Sequence, residues 1–385
     1  MLSPASADTI RATLPAVGGA LGEISSVFYD KLFAAHPELL RDLFNRGNQA
    51  SGAQQRALAG SIAAFASALL EHPDSPPPLH RIAHKHASLG VTRDQYRIVH
   101  THLFAAIAEV LGEAVTDDVA AAWSEVYWLM ADTLGALEAR LHADAGAPDG
   151  DTWRDYRVVG RRAETDEVIT VLARPVDGSA APPARPGQYV SVRVELPDGA
   201  RQIRQYSLLD AAGGAVRFCV KDSGAVSGHL HRHLAEGDVL PISAPFGEVT
   251  LEAGEGPVLL ASAGIGCTPM IAMLRHLAVT GSPRQVVAVH ADRGPGTHAL
   301  RTEFTDLLAR LPRATAHVWY EEPPPGWPAE RTGLADLGGI DLPAGTTAYL
   351  CGPRGFLRAT HAQLRDRGLP AAAVRYEVFG PDLPR

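Results

Sequence analysis

Cysteine is scarce: the 385 residues hold three, Cys219, Cys267 and Cys351, with no C-x-x-C spacing. An odd, dispersed set excludes a disulfide framework and suits a reducing compartment. Basic tracts are missing as well. Lys+Arg 35 against Asp+Glu 43 gives a net charge of −8, so there is no electrostatic footprint for nucleic acid. The first residues, MLSPASADTI, carry neither a basic nor an apolar stretch, and no signal peptide is expected. One uncharged run, 256–274, has the length to span a bilayer. Gly264, Gly266, Thr268 and Pro269 in its middle suit a strand, a loop and a helix instead. Internal repeats and low-complexity segments are absent too. What remains is a chain 46% hydrophobic and 20% charged, long enough for two or three domains with cores of their own. A cytoplasmic protein with no integral membrane segment and no nucleic-acid partner is expected.

The texture of the chain changes twice. Up to 146 the apolar spacing is helical. Val119, Ala122, Trp123, Val126, Met130, Leu134, Leu137 and Leu141 recur at three- and four-residue steps, the mark of one buried helix face, and Asp117 or Asp118 is placed to cap it. A helix before it opens on Thr92 and Gln95 at capping-box spacing. Another spans 15–35 and ends at His36-Pro37. The Gly-, Ala- and Asp-rich segment 142–151 reads as a linker. From Trp153 the period is two: Val190, Val192, Val194 and Leu196 alternate with Ser191, Arg193 and Glu195, as in an antiparallel sheet or small barrel. Beyond Pro257 strands and helices alternate, the pattern of a parallel α/β sheet. The expected fold class is multidomain: all-α over 1–146, an antiparallel β-barrel over 152–254, and an α/β parallel-sheet domain over 256–385.

Gly264-Ile265-Gly266-Cys267-Thr268-Pro269 falls between an expected strand and an expected helix. Glycines there let the backbone approach a phosphate, and the helix N-terminus offers free N–H groups. Thr268 is placed to cap that helix, with Pro269 at its first position. Cys351-Gly352-Pro353 stands at a second strand end, and carboxyl ends of parallel strands are where an open α/β sheet binds its ligand. In the β segment, Arg204-Gln205-Tyr206-Ser207 follows a strand and Arg185-Pro186-Gly187-Gln188-Tyr189 precedes another. Arg204 can pair with a diphosphate, Tyr206 can lie against a flat ring, and Ser207 can bond a ring edge. In this order and spacing the motifs resemble the ferredoxin-reductase family. The resemblance implies FAD in the barrel and NADH or NADPH in the α/β domain, with Phe379 of Glu377-Val378-Phe379-Gly380-Pro381 covering the flavin. After the second α/β strand, Asp292 could accept from a ribose hydroxyl and Arg293 could meet a 2′-phosphate, leaving the nicotinamide open.

Sixteen histidines are present, and most must be structural. Helical geometry puts His86 on an apolar face with Ile82, Ala83 and Leu89, whereas His80 and His84 point elsewhere and could at most hold a surface metal. A neutral imidazole in an apolar stripe is either a hydrogen-bonded core residue or a ligand in a haem pocket. Glu138 borders the apolar face of its helix, and a buried carboxylate needs a donor. Phe28-Tyr29-Asp30, Phe44-Asn45, Asn48-Gln49, Gln54, Lys85-His86, Gln95-Tyr96 and Glu138 fall in step with a bacterial globin domain. A globin ahead of an FAD barrel and an NAD domain resembles the flavohaemoglobin family, and the likeness covers essentially the whole chain.

That resemblance implies haem b with His86 as the proximal metal ligand, and Tyr96 and Glu138 bonded near its imidazole. Tyr29 and Gln54 would face the distal side, and Phe44, Leu58 and Lys85 would help hold the haem. Tyr189, Arg204, Gln205, Tyr206, Ser207, Val226 and Ser227 would contact FAD. Gly264, Ile265, Gly266, Cys267, Thr268, Pro269, Cys351, Gly352 and Pro353 would receive the nicotinamide dinucleotide. The implied reaction is nitric oxide dioxygenation: NO and O2 become nitrate, with electrons passing from NAD(P)H to FAD and then singly to haem iron. No obligate protein partner is implied. Two departures stand out: Gly228 follows Val226-Ser227 where the family commonly has Asn, and Leu357 replaces a usual Met. A haem-based O2 or NO sensor and a plain NAD(P)H-flavin or haem oxidoreductase are the rival readings.

Overall fold

The computed structural model describes residues 2–50, 53–72, 79–147, 149–210 and 212–379, without the side chains at 48, 50, 53–57, 59 and 212. Its first part is helical: α1 (Pro4–Ala35), α2 (Pro37–Asp42), α3 (Arg46–Ala50), α4 (Ala53–Glu71), α5 (His80–Leu89), α6 (Arg93–Leu111) and α7 (Asp117–Asp144). The long first helix begins at Pro4, capped by Ser3, and carries Pro15 inside it instead of starting there. Ile10, Val17, Ile24, Phe28 and Leu32 recur on one face and are all buried, so tertiary burial overrides the local cost of the proline. At α6 the expected capping box forms, with Thr92 N donating to Gln95 Oε1 at 2.9 Å. The cap of α7 is Thr116, whose hydroxyl accepts from Val119 N, while Asp117 and Asp118 lie in the first turn. There the carboxylates meet the positive end of the helix dipole. The segment read as a linker starts late, since α7 continues to Asp144.

Six strands follow: β1 (Trp153–Thr165), β2 (Val168–Pro175), β3 (Tyr189–Glu195), β4 (Arg201–Asp210), β5 (Val216–Lys221) and β6 (Val239–Ser243), with α8 (Ala225–His233) before the last. They close into a barrel in the order β1-β2-β5-β4-β3-β6, which removes exposed sheet edges. Leu196-Pro197-Asp198-Gly199 turns β3 back toward β4, with Gly199 N on Leu196 O, Gly199 at φ 78 and Asp198 Oδ1 accepting from Ala200 N. Proline, aspartate and glycine each supply what such a turn needs.

The last part holds β7 (Val258–Ala263), α9 (Cys267–Val279), β8 (Val286–Asp292), α10 (Arg301–Ala309), β9 (Ala314–Tyr320), β10 (Thr347–Cys351), α11 (Arg354–Asp366) and β11 (Val374–Glu377). The sheet order is β11-β10-β7-β8-β9, and all four neighbouring pairs are parallel. Every residue of β7 is buried, as befits a strand covered on both faces. The chain leaves β7 toward β8 on one side and returns as β10 on the other, so the order reverses at β7. An open sheet binds its ligand at such a switch point. The expected all-α, antiparallel-barrel and parallel α/β classes are all present. No helix among the described residues is long and apolar enough to cross a membrane. By compactness the chain forms two units: one gathers Met1–Trp153 with the turn segment Arg193–Arg204, the other Arg154–Val192 with Gln205–Arg385.

Behind β8 lies a buried histidine pair. His290 and His298 stack with ring centroids 3.9 Å apart. His290 Nδ1 meets Ser262 Oγ at 2.9 Å, and His298 Nδ1 meets Tyr320 OH at 2.8 Å. Burial first, and His290 second, hold the His298 imidazole down at about 2. A histidine whose folded pKa lies below its unfolded value stabilises the fold above about 6.5, and that contribution fades as pH falls toward the folded value. Urea midpoints should therefore drop between pH 7 and pH 5, by at most ~1.4 kcal/mol per pH unit from this group. In His298→Gln that slope should flatten; a wild-type midpoint independent of pH over this range would contradict the assignment.

Candidate functional site

His86 sits near the end of the short helix α5, half-buried, with its Nδ1 2.8 Å from Tyr96 OH and 2.9 Å from Glu138 Oε1. Tyr96 OH donates in turn to Glu138 Oε1 at 2.6 Å. Tyr96 and Glu138 come from α6 and α7, and both are buried. An ionised carboxylate only accepts, so the phenol proton and the Nδ1 proton both point at Glu138. Nδ1 is then the protonated nitrogen, and Nε2 keeps its lone pair. No hydrogen bond to Nε2 exists among the described residues. An imidazole fixed in this tautomer by a carboxylate is the arrangement that prepares a histidine for a metal. The donor set therefore fits a haem iron.

The surrounding helices hold this triad from behind. Gly90 caps α5 in the left-handed conformation at φ 73, and its N–H and that of Val91 reach back to Ala87 and His86 carbonyls. Ala87 O also receives His142 Nε2 at 3.3 Å and the Thr152 hydroxyl. Tyr127 OH donates to Tyr96 O at 2.7 Å. Burial, followed by the Glu138 charge, raises the Tyr96 phenol well above its usual range, so it remains a donor.

Tyr29 on α1 is buried among aromatic rings. It stacks on Phe33 at 5.5 Å and meets Phe44 edge-on at 5.9 Å. Burial pushes its phenol far up, opposed by a hydrogen bond with Gln49. Gln49 was read only as part of a family match, yet it is the amide that reaches Tyr29. The Gln54 side chain lies outside the described residues. Leu58 on α4 is half-buried and packs on the same core as Phe44, and Lys85 precedes His86 on α5.

The Arg-Gln-Tyr-Ser motif lies within β4 and does not follow a strand. Residues alternate faces along a strand, so Arg204 and Tyr206 point one way and Gln205 and Ser207 the other. Tyr206 stacks on Phe218 at 5.4 Å, and Gln205 Nε2 donates to Ser191 Oγ at 2.9 Å. Tyr189 exchanges backbone hydrogen bonds with Phe246. Gly247 follows at φ 125, where a Cβ would stand 3.2 Å from the Tyr189 ring. Val226 and Ser227 are buried in the first turns of α8, where Ser227 Oγ accepts from Ser223 N. At Gly228 a side chain would meet only the ends of Arg232 and Asp222.

Three separate motifs converge at the carboxyl ends of adjacent strands. In register, Cys351 of β10 pairs with Ser262 of β7 and with Glu377 of β11. The Gly264–Gly266 turn, Cys351-Gly352-Pro353 and Glu377-Val378-Phe379 therefore share one edge. Phe379 is half exposed there, while Gly380 and Pro381 lie outside the described residues. Thr268 does not cap α9: the cap is Gly266, Cys267 opens the helix, and the Thr268 hydroxyl donates to Ile265 O. The helix starts two residues earlier than its Thr-Pro suggests. Burial raises the Cys267 and Cys351 thiols, and that of Cys219 up to about 12. All three cysteines are free thiols, and none is a thiolate nucleophile at neutral pH.

Two substitutions follow from this geometry. Glu138→Ala orphans the buried Tyr96 phenol and the His86 Nδ1–H together, and should cost about 2–4 kcal/mol in urea unfolding; Glu138→Gln, which keeps one acceptor, should cost less. At Gly266 a Cβ would fall 2.6 Å from Cys351 C and 2.8 Å from Gly352 N. Gly266→Ala must push the two loops apart, and titration with a nicotinamide dinucleotide should show at least about tenfold weaker binding, equivalent to ~1.4 kcal/mol.

Comparison with known proteins places the same parts in the same order. Residues 26–134 match the globin family, and residues 260–362 match the oxidoreductase NAD-binding domain family. A flavohemoprotein of Bordetella parapertussis is 42% identical over 99% of this chain and 99% of its own. A flavohemoglobin of Malassezia yamatoensis, crystallised with bound FAD and heme, superposes with a TM-score of 0.92 at 35% identity, covering 98% of this chain and all of that one. The FAD/NAD binding domain of nitric oxide dioxygenase from Vibrio cholerae is 33% identical, with a TM-score of 0.55 over 59% of this chain and 99% of that chain. Full-length identity of this degree, with the helical unit and the reductase folds both present, makes this chain a member of the flavohemoprotein family.

Proposed function

We propose that this protein is an NAD(P)H-dependent nitric oxide dioxygenase. The observation that carries the reading is His86: its Nδ1 is committed to Glu138 and Tyr96, its Nε2 is left for iron, and nucleotide-binding loops lie in the same chain. An oxygen store needs no such wiring, and fusion makes a reductase effectively concentrated at its acceptor. The parts divide into a haem domain over 1–146, an FAD barrel over 152–254 and an NAD(P)H domain over 256–385. When bound, haem supplies the iron for O2, FAD converts one hydride into two single electrons, and NAD(P)H supplies the hydride.

The chain's own groups do the rest. Glu138 holds the proton at His86 Nδ1 and makes the imidazole a stronger donor through Nε2. Tyr29, kept protonated by burial, would offer an O–H on the distal side, with Phe44 and Leu58 bounding that space and Lys85 beside the proximal histidine; Gln54, the other distal residue the family likeness implies, has its side chain outside the described residues. Arg204 would pair with the flavin diphosphate, Tyr206 would lie along the ring system, and Tyr189, Gln205, Ser207, Val226 and Ser227 would complete the FAD seat. Gly264 to Pro269 and Cys351 to Pro353 would receive the dinucleotide, and Glu377 and Val378 would bring Phe379 to the flavin. Asp292 is fixed by Thr297 Oγ1 at 2.6 Å, and Arg293 is engaged by Glu167 at 2.6 Å. A carboxylate with its neighbouring cation already paired favours NADH over NADPH. O2 and NO are the small-molecule substrates, no protein partner is required, and the setting is cytoplasmic.

Each NO and O2 pair takes one electron to become nitrate, so one hydride supports two turnovers. Haem- and FAD-loaded protein in air-saturated buffer should convert NO to nitrate at two per NADH oxidised, and His86→Ala should lose haem and this activity together. NADH oxidation indifferent to NO, with a normal haem spectrum, would instead identify a sensor or a plain oxidoreductase.

A further inference from the structure

The corner between α2 and α3 is held by a side chain from a distant part of the sequence. The last carbonyls of a helix have no partner within it. In α2, Leu39 O is taken by Leu43 N and Phe44 N. Leu40 O and Arg41 O are taken by Gln202, whose Nε2 lies 3.3 and 3.0 Å away. The same nitrogen reaches Phe44 O at 3.2 Å, and Gln202 Oε1 accepts from Arg46 N at 3.2 Å. Gln202 is 1% exposed. One buried amide thus lies within hydrogen-bond reach of four backbone groups of the corner, its two N–H hydrogens shared among three carbonyls. Beside it, Asp42 accepts from Arg201 N and Nη2, and Arg46 pairs with Asp198. These flanking pairs are exposed and screened by solvent; the amide is not.

The corner carries Phe44, whose ring meets Tyr29 at 5.9 Å and Phe33 at 5.4 Å. On the other side, Arg204 stands two residues along the same strand, on the same face, with Nη1 3.5 Å from Gln202 Oε1. A carboxylate at 202 would set an oxygen against three carbonyl oxygens, and an apolar side chain would leave all four backbone groups unsatisfied.

We propose that Gln202 is a positioning residue that caps α2 in trans, fixes the Phe44 corner against Tyr29, and ties that corner to the strand bearing Arg204. The proposal rests on the dioxygenase reading only for the role of Tyr29 as distal donor. A shift of the Arg204 strand is thereby transmitted to the ring that packs on Tyr29.

The test uses the full-length holoprotein with Gln202→Met and Gln202→Glu. Three readouts are needed: amide hydrogen exchange over 40–46, the C–O stretch of the ferrous carbonyl form, and the O2 dissociation rate. Gln202→Met should speed exchange at Arg46, whose acceptor it removes; both variants, which lose the amide donor, should split or shift the C–O band and release O2 about tenfold faster, as loss of one hydrogen bond implies. Placed in a Tyr29→Phe background, Gln202→Met should have no further effect on O2 release, because its action runs through Tyr29. Faster exchange with an unchanged C–O band, or an undiminished effect in the Tyr29→Phe background, would overturn the proposal and leave Gln202 a purely structural cap. Should both variants fail to fold, the wild-type Arg46 amide decides: slow exchange supports the cap, and exchange at the free-peptide rate overturns it. A wild-type protein that takes up no haem would sink the dioxygenase reading, which hydrogen exchange at Arg46 distinguishes from failure of the cap.

Discussion

The helical unit depends on one buried carboxylate. Glu138 collects a phenol proton from Tyr96 and an imidazole proton from His86, and a buried charge of this kind is tolerable only when its oxygens are occupied. That requirement decides the tautomer of His86, and with it which nitrogen is left for a metal. Three helices contribute one residue each, so the arrangement exists only when α5, α6 and α7 are packed. The turn at Gly90, the His142 and Thr152 contacts to Ala87 O, and the Tyr127 bond to Tyr96 O hold the same three helices in register. They leave little freedom for the ring to rotate.

The second unit solves a different problem, the close approach of one backbone turn to another. Its sheet reverses strand order at β7, and the reversal opens a crevice where the glycine turn after β7 and the Cys-Gly-Pro turn after β10 lie side by side. Their closeness demands glycine at 266. The three thiols nearby are buried and protonated. They act as small apolar groups, so redox chemistry in this unit falls to bound cofactors.

Much of this was legible along the chain. The capping box at Thr92 and Gln95, the apolar face of α7 and the alternating valines of β3 are local patterns, and each produced the element expected. The glycine turn after β7 was legible as a turn because glycines between an apolar run and a helical pattern punctuate the chain. The family likeness then brought His86, Tyr96 and Glu138 together on paper, and their convergence at Nδ1 is what the packing supplies.

Other features could not be read locally because their partners are far away in sequence. Pro15 and nearby glycines argue for a break in α1, but burial of Ile10 and Val17 outweighs them. Thr116 and Gly266 won their caps over acidic and threonine neighbours by backbone geometry that only the folded turn defines. Gln202 is the clearest case. As a glutamine in a strand it carries no signal, and its meaning comes from four backbone groups some 160 residues earlier. Periodicity, turn chemistry and motif spacing are properties of neighbouring residues and survive in the unfolded chain. Which carbonyls are orphaned, which ring nitrogen keeps its proton and which carboxylate is buried are set by contacts that form only on folding.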